Sequence, residues 1–112
     1  MSPITTHILD ISVGQPASGV AVALEQKGES GWSSVGQGVT NDDGRVTDLM
    51  DEGALSAGVY RLTFETKAYF DAKNTDTFYP EVVVTFDVEA TREHYHVPLL
   101  VSPFGYSTYR GS

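Results

Sequence analysis

Groups able to do chemistry near neutral pH crowd into the last nineteen residues of this chain, His94 to Ser112. In HYHVPLLV the two histidines stand two apart, so an extended strand points His94 and His96 to one face, with Pro98 and Leu100. Tyr95, Val97, Leu99 and Val101 fall on the opposite, apolar face. Two imidazoles beside a leucine are an odd surface for a strand that meets only water. Ser102-Pro103 favours an edge or a turn, and Gly105 to Tyr109 reads as a second short strand, giving a terminal hairpin. The last four residues, Tyr109-Arg110-Gly111-Ser112, bring a phenol, a guanidinium, a hydroxyl and the α-carboxylate together. Aromatic and β-branched residues run almost to the end, which suggests a tail held in a sheet rather than a frayed one.

A neutral imidazole is the side chain whose ordinary pKa lies nearest pH 7, so these histidines are natural proton acceptors for an attacking water. Two earlier residues could join them. His7 lies in THILD, on a strand face shared with Thr5, Leu9 and Ile11. Arg45 follows Asn41-Asp42-Asp43-Gly44, a stretch of residues that tolerate left-handed backbone. Each has a plainer reading: His7 as a half-exposed strand residue, Arg45 as a solvated cation paired with Asp42, Asp43 or Asp48, a pairing of little energetic weight when exposed. His7, His94 and His96 could instead share a zinc ion, although His-x-His spacing alone is a weak signal. The acidic run does not make an EF-hand, because it ends at once in Arg45 and lacks the distal glutamate. No G-x-S-x-G elbow is present for a serine nucleophile.

The elements that must position these residues are short strands. Thr5–Ile11, Val20–Gln26, Trp32–Thr40, Val59–Thr66, Glu81–Val88, His94–Val101 and Gly105–Tyr109 alternate or are β-branched, and turn-forming residues separate them. Lys67 to Asn74, with Tyr69, Phe70 and Lys73 at helical spacing and Asn74 able to stop it, is the one helix candidate. Asp48 to Gly58 lacks periodicity and reads as a loop. Seven to eight short strands and one short helix predict an all-β fold, an antiparallel β-sandwich occupying residues 1–112 as a single domain. Such a sandwich leaves strand edges for another subunit to cover.

Composition narrows the functional classes. Of 112 residues, 40% are hydrophobic and 20% charged, as in ordinary globular domains. The net charge of −8 argues against nucleic acid, and the seven Lys and Arg are scattered, which leaves no polybasic membrane patch. The absence of cysteine excludes thiol chemistry and Cys–zinc sites. With no basic-then-apolar leader and no apolar run near the ~20 residues a membrane span requires, cytoplasm is the expected compartment.

The segment HVPLLVSPFGYSTYRGS, with THILD, TNDDGR and FETKAYFDAKNTDTFYPEV, resembles the 5-hydroxyisourate hydrolases of the transthyretin-like family across essentially the whole chain. Transthyretin, the hormone carrier of that fold, lacks the YRGS ending. The resemblance implies a transthyretin-like β-sandwich that assembles as a homotetramer, a dimer of dimers with active sites in a channel. It also implies hydrolysis of 5-hydroxyisourate in urate breakdown without metal or cofactor. Carried over position by position, it makes His7, Arg45, His96 and Ser112 catalytic, and His7, Arg45, Tyr109, Arg110 and Gly111 substrate-binding. It assigns nothing to His94. The rival expectation is a carrier that holds an aromatic molecule in the same channel, which would favour an apolar lining.

Overall fold

The structure, a computed structural model, describes residues 2–89 and 93–111. Its strands are β1 (Ile4–Asp10), β2 (Gln15–Pro16), β3 (Ala21–Gly28), β4 (Gly31–Val39), β5 (Arg45–Val46), β6 (Gly58–Phe64), β7 (Val82–Val88), β8 (Tyr95–Ser102) and β9 (Gly105–Thr108), with one helix, α1 (Thr66–Asp71). They form two sheets. One runs β2-β1-β8-β9, with β5 also paired to β1; the other runs β4-β3-β6-β7.

Period-2 alternation decides which residues fill the space between the sheets. Ile4 and Ile8 of β1 and Tyr95, Val97, Leu99 and Val101 of β8 join Val22, Leu24, Tyr60, Leu62, Phe64, Val82, Val84 and Val88 from the other sheet in one buried cluster. Removing a side chain of this size from water contributes about 1.5–3 kcal/mol, so the alternation fixes register firmly: a slip of one residue would turn every apolar group outward. The reverse face of the first sheet is thereby left free for polar residues.

The expected strands appear within one or two residues of their predicted ends. Helix α1 spans Thr66–Asp71, and Asn74 stops the following turn in the left-handed region at φ 55°. Its docking is polar as well as apolar: Tyr69 and Phe70 are buried, and the Tyr69 hydroxyl donates to Asp10 Oδ2 at 2.8 Å. Burial raises the Tyr69 pKa. Sequence periodicity did not anticipate two features. The pairs β1–β2 and β1–β5 are only two residues long, too short for a period to register. And β1 and β8 run parallel within an otherwise antiparallel fold, from Ile4↔Tyr95 to Asp10↔Val101. Most of the chain separates these two strands, so no hairpin imposes an antiparallel direction.

Candidate active site

Three adjacent strands build the site on the outer face of the first sheet. The parallel register sets Thr5 opposite His96 and His7 opposite Pro98. On the other side of β1, His7 is paired directly with Arg45 of β5. Residues paired across a ladder project to the same face. Arg45, His7, Thr5 and His96 therefore converge, although they lie up to 91 positions apart in the chain.

A tight turn places Arg45. Asn41 Oδ1 accepts from the backbone N–H of Asp43 at 2.9 Å and of Arg45 at 3.0 Å. Gly44 takes φ +75°, and a Cβ there would stand 2.4 Å from the Ile8 carbonyl oxygen. Only glycine combines that backbone with that approach, and its carbonyl accepts from Ile8 N–H at 2.7 Å. The guanidinium makes no ion pair with Asp42, Asp43 or Asp48 among the described residues, so its charge acts on the histidines instead.

Both histidines are pushed below the ordinary imidazole pKa. For His7 the causes are burial and then the Arg45 charge, partly offset by a hydrogen bond to the Asp43 backbone and by the Asp43 carboxylate. For His96 they are burial, Arg45, His94 and His7. Near pH 7 both rings are accordingly neutral and able to accept a proton.

His96 is the more constrained ring. Its Nδ1 lies 2.8 Å from Thr5 Oγ1, and the same hydroxyl lies 2.9 Å from His94 Nε2. Against the other edge lies Gly111, whose amide donates to the His96 carbonyl at 2.9 Å. A Cβ on Gly111 would come within 2.6 Å of His96 Cδ2. The tail leaves no room for a side chain beside the ring. His96 Nε2 has no hydrogen-bond partner among the described residues.

The remaining expected site residues are distributed differently. Tyr109 is 58% exposed at a cavity of about 260 Å³ opening between the edges of the two sheets, which Phe86, Tyr95 and Arg110 also line. Arg110 turns away from the histidines: its Nη2 meets Glu93 Oε2 at 2.8 Å, and its guanidinium lies 4.7 Å from the centre of the Tyr95 ring. That pairing holds the Glu93 carboxyl below its usual range. Arg110 thus lies against Tyr95 of the inner face, while Arg45 stands on the histidine face beside His7; His96 lines the Tyr109–Arg110 cavity as well. Ser112 lies outside the described residues. Among the described residues no cluster of three or more His, Cys, Asp or Glu could hold a metal ion. Thr5 is the member that residue-type reasoning overlooked; sharing a strand face with His7 was its only signal.

Comparison with known proteins fixes the lineage. Residues 4–111 match the HIUase/Transthyretin family. The chain belongs to that family. Over 109 residues it is 52% identical to a 5-hydroxyisourate hydrolase of Salmonella typhimurium, covering 97% of this chain and 80% of that protein. It is 39% identical to the mouse (Mus musculus) 5-hydroxyisourate hydrolase, over 99% of this chain and 96% of the mouse protein. Among solved structures, the Klebsiella pneumoniae 5-hydroxyisourate hydrolase aligns with a TM-score of 0.86 at 39% identity, covering 97% of this chain and 92% of that one. Sea bream transthyretin in complex with thyroxine aligns with a TM-score of 0.93 at 38% identity, covering 98% and 95%. Within the HIUase/Transthyretin family the backbone thus fits hydrolase and transthyretin alike, and the side chains of the outer face must separate the two readings.

Proposed function

We propose that this chain hydrolyses 5-hydroxyisourate, opening the N1–C6 bond to give 2-oxo-4-hydroxy-4-carboxy-5-ureidoimidazoline. The observation that carries the reading is the convergence of Arg45, His7 and His96 on one sheet face, with both imidazoles held neutral near pH 7. An apolar carrier has no use for that combination. Hydrolysis of a cyclic amide does, since it needs a base for the water, a cation for the charge developing on oxygen, and groups to orient a planar ring.

His96 takes the water proton on its free Nε2 while the oxygen attacks C6. Arg45 faces the C6 oxygen as it becomes negative, and its planar fork suits the ring's acceptors. His7, on β1 between Arg45 of β5 and the strand of His96, orients the ring. The proton held by His96 then passes to N1 as the C6–N1 bond breaks, so the leaving nitrogen departs neutral. Tyr109 offers a face for stacking at the rim, Gly111 leaves room for the His96 ring, and Arg110 holds the tail through Glu93 and Tyr95. Ser112 keeps the catalytic role that the family resemblance implies.

The site lies on an open sheet face, and electrostatic stabilisation of an oxyanion is far stronger where water is excluded. A homotetramer, a dimer of dimers that closes two such faces around a channel, supplies that exclusion. The test is the ultraviolet decay of 5-hydroxyisourate made in place from urate and urate oxidase. The wild type accelerates it, whereas His96→Asn and Arg45→Ala each lower turnover by a factor on the order of a hundred or more with the assembly unchanged by size-exclusion light scattering. Decay no faster than the spontaneous rate overturns the proposal and leaves the carrier reading, tested by aromatic-ligand binding.

A further inference from the structure

Thr5 is 4% exposed, and its hydroxyl has two partners, both imidazole nitrogens: His96 Nδ1 at 2.8 Å and His94 Nε2 at 2.9 Å. A hydroxyl carries one proton, so it can donate to one ring only and must accept from the other. Two chains satisfy the geometry. In the first, His94 Nε2–H donates to Thr5 and Thr5 donates to His96 Nδ1, which forces the neutral His96 to carry its proton on Nε2. In the second, His96 Nδ1–H donates to Thr5 and Thr5 donates to His94 Nε2, which leaves the outward Nε2 of His96 with its lone pair. Only the second lets His96 act as a base. The state of His94 therefore decides whether His96 is competent.

We propose that Thr5 and His94 are positioning residues that fix the tautomer of His96: Thr5 donates to a bare His94 Nε2 and accepts from His96 Nδ1–H, which leaves the lone pair of His96 on Nε2. The inference rests on the reading of His96 as the base. Its chemistry balances. At neutral pH, opening an amide to a carboxylate and a neutral nitrogen releases one proton per turnover. His96 Nε2 takes the water proton, gives it to N1 and then takes the proton of the new carboxylic acid, while Nδ1 keeps its own proton, held on Thr5, throughout. The Nε2 proton is therefore the one lost to water as the product leaves, and the ring returns to its starting tautomer. His94 is exposed, at the foot of β8, and serves as the outer acceptor that orients the Thr5 hydroxyl. The charge of Arg45 disfavours a lasting second proton on His96.

The test reads the tautomer directly, by long-range nitrogen–proton correlation spectra of ¹⁵N-histidine protein at alkaline pH. Wild-type His96 should carry its proton on Nδ1. In Thr5→Val, which keeps the shape and removes the hydroxyl, the proton should move to Nε2, and Thr5→Ser should restore the wild-type pattern. Turnover should follow, falling about tenfold to a hundredfold in Thr5→Val with KM nearly unchanged and returning in Thr5→Ser. Added imidazole should rescue His94→Ala and leave Thr5→Val unrescued, because only the former lacks nothing but the outer acceptor. A wild-type His96 protonated on Nε2, or a tautomer unmoved by Thr5→Val, overturns the proposal. The spectra need no substrate, so they judge the tautomer assignment even if 5-hydroxyisourate is not turned over, an outcome that overturns the hydrolase reading instead.

Discussion

The contact between Gly111 and His96 allows a small perturbation whose consequence can be worked out in advance. A methyl at position 111 would lie 2.6 Å from His96 Cδ2 and 3.3 Å from both His96 Cγ and Pro98 Cγ, whereas ordinary contact begins at 3.4 Å. Pro98 is buried in the middle of β8 and its ring is locked, so the imidazole or the tail must give by about 0.8 Å at the closest contact. If the ring gives, it loses its 2.8 Å bond to Thr5 and its Nε2 moves off line with the attacking water. If the tail gives, the 2.9 Å bond from Gly111 N–H to the His96 carbonyl is lost and the ring keeps its geometry.

A misplacement of about 1 Å in a reacting group can cost on the order of a hundredfold. Gly111→Ala should therefore lower the turnover of 5-hydroxyisourate, in the urate–urate oxidase assay, by about tenfold to a hundredfold. Since only a terminal bridge is disturbed, the thermal unfolding midpoint should move by no more than the few degrees expected for about 1 kcal/mol. The His96 ring resonances should shift in the same variant. Turnover within about twofold of wild type, with unchanged ring resonances, would refute the claim that this glycine sets the ring's position.

The depressed imidazole pKa values fix a pH dependence. His96 must be neutral to accept a proton, so kcat/KM should be level above the ordinary value of 6.5 and fall on acidification with a midpoint below it. The same sign governs stability. Below pH 6.5 the unfolded chain binds more protons than the folded one, so the histidine contribution is complete above 6.5 and is lost as pH falls through the folded values. Arg45→Met removes the second-largest cause and should raise the His96 titration midpoint in a proton NMR series; an unchanged or lower midpoint would show that the guanidinium does not reach the ring. Away from the site, Tyr69→Phe deletes a donor to the buried Asp10 carboxylate and should cost about 1–3 kcal/mol in urea unfolding. Activity should be retained in that variant, since Asp10 projects to the face of β1 opposite His7; full stability would show that Ser12, which donates to Oδ1, and Lys73, 4.0 Å from Oδ2, satisfy the carboxylate without the phenol.

Individual segments explain how far the amino-acid sequence carries. The alternation of Tyr95, Val97, Leu99 and Val101 against His94, His96, Pro98 and Leu100 is a local property, and β8 realises it. The same holds for Tyr60, Leu62 and Phe64 of β6. Asn74 ends the helical turn because the left-handed backbone it adopts is tolerated by few other residues. Which strands become neighbours is not local. Arg45 reads as a loop cation because the ladder that makes it a partner of His7 is two residues long, and its energy comes from contacts that no periodicity encodes. The Arg110 guanidinium reads equally well as a ligand or a brace; Glu93 and the face of Tyr95 draw it to the inner side of the sheet.

Thr5 marks where sequence reasoning stops and geometry must take over. Its place on one face with His7 follows from counting along β1. Its place between two imidazoles requires that β1 and β8 lie side by side, run in the same direction and pair Thr5 with His96. With the register moved by one residue Thr5 would face the core side chain of Tyr95 or Val97, while an antiparallel pairing would change the separation of hydroxyl and ring. The apolar residues of the inner face hold that register, so the core that stabilises the fold also sets which nitrogen of His96 meets the substrate. Substitutions in the inner half of β1 that keep the volume of Ile4 and Ile8 should be catalytically silent for this reason, and ones that let β1 slide should abolish turnover before they unfold the chain.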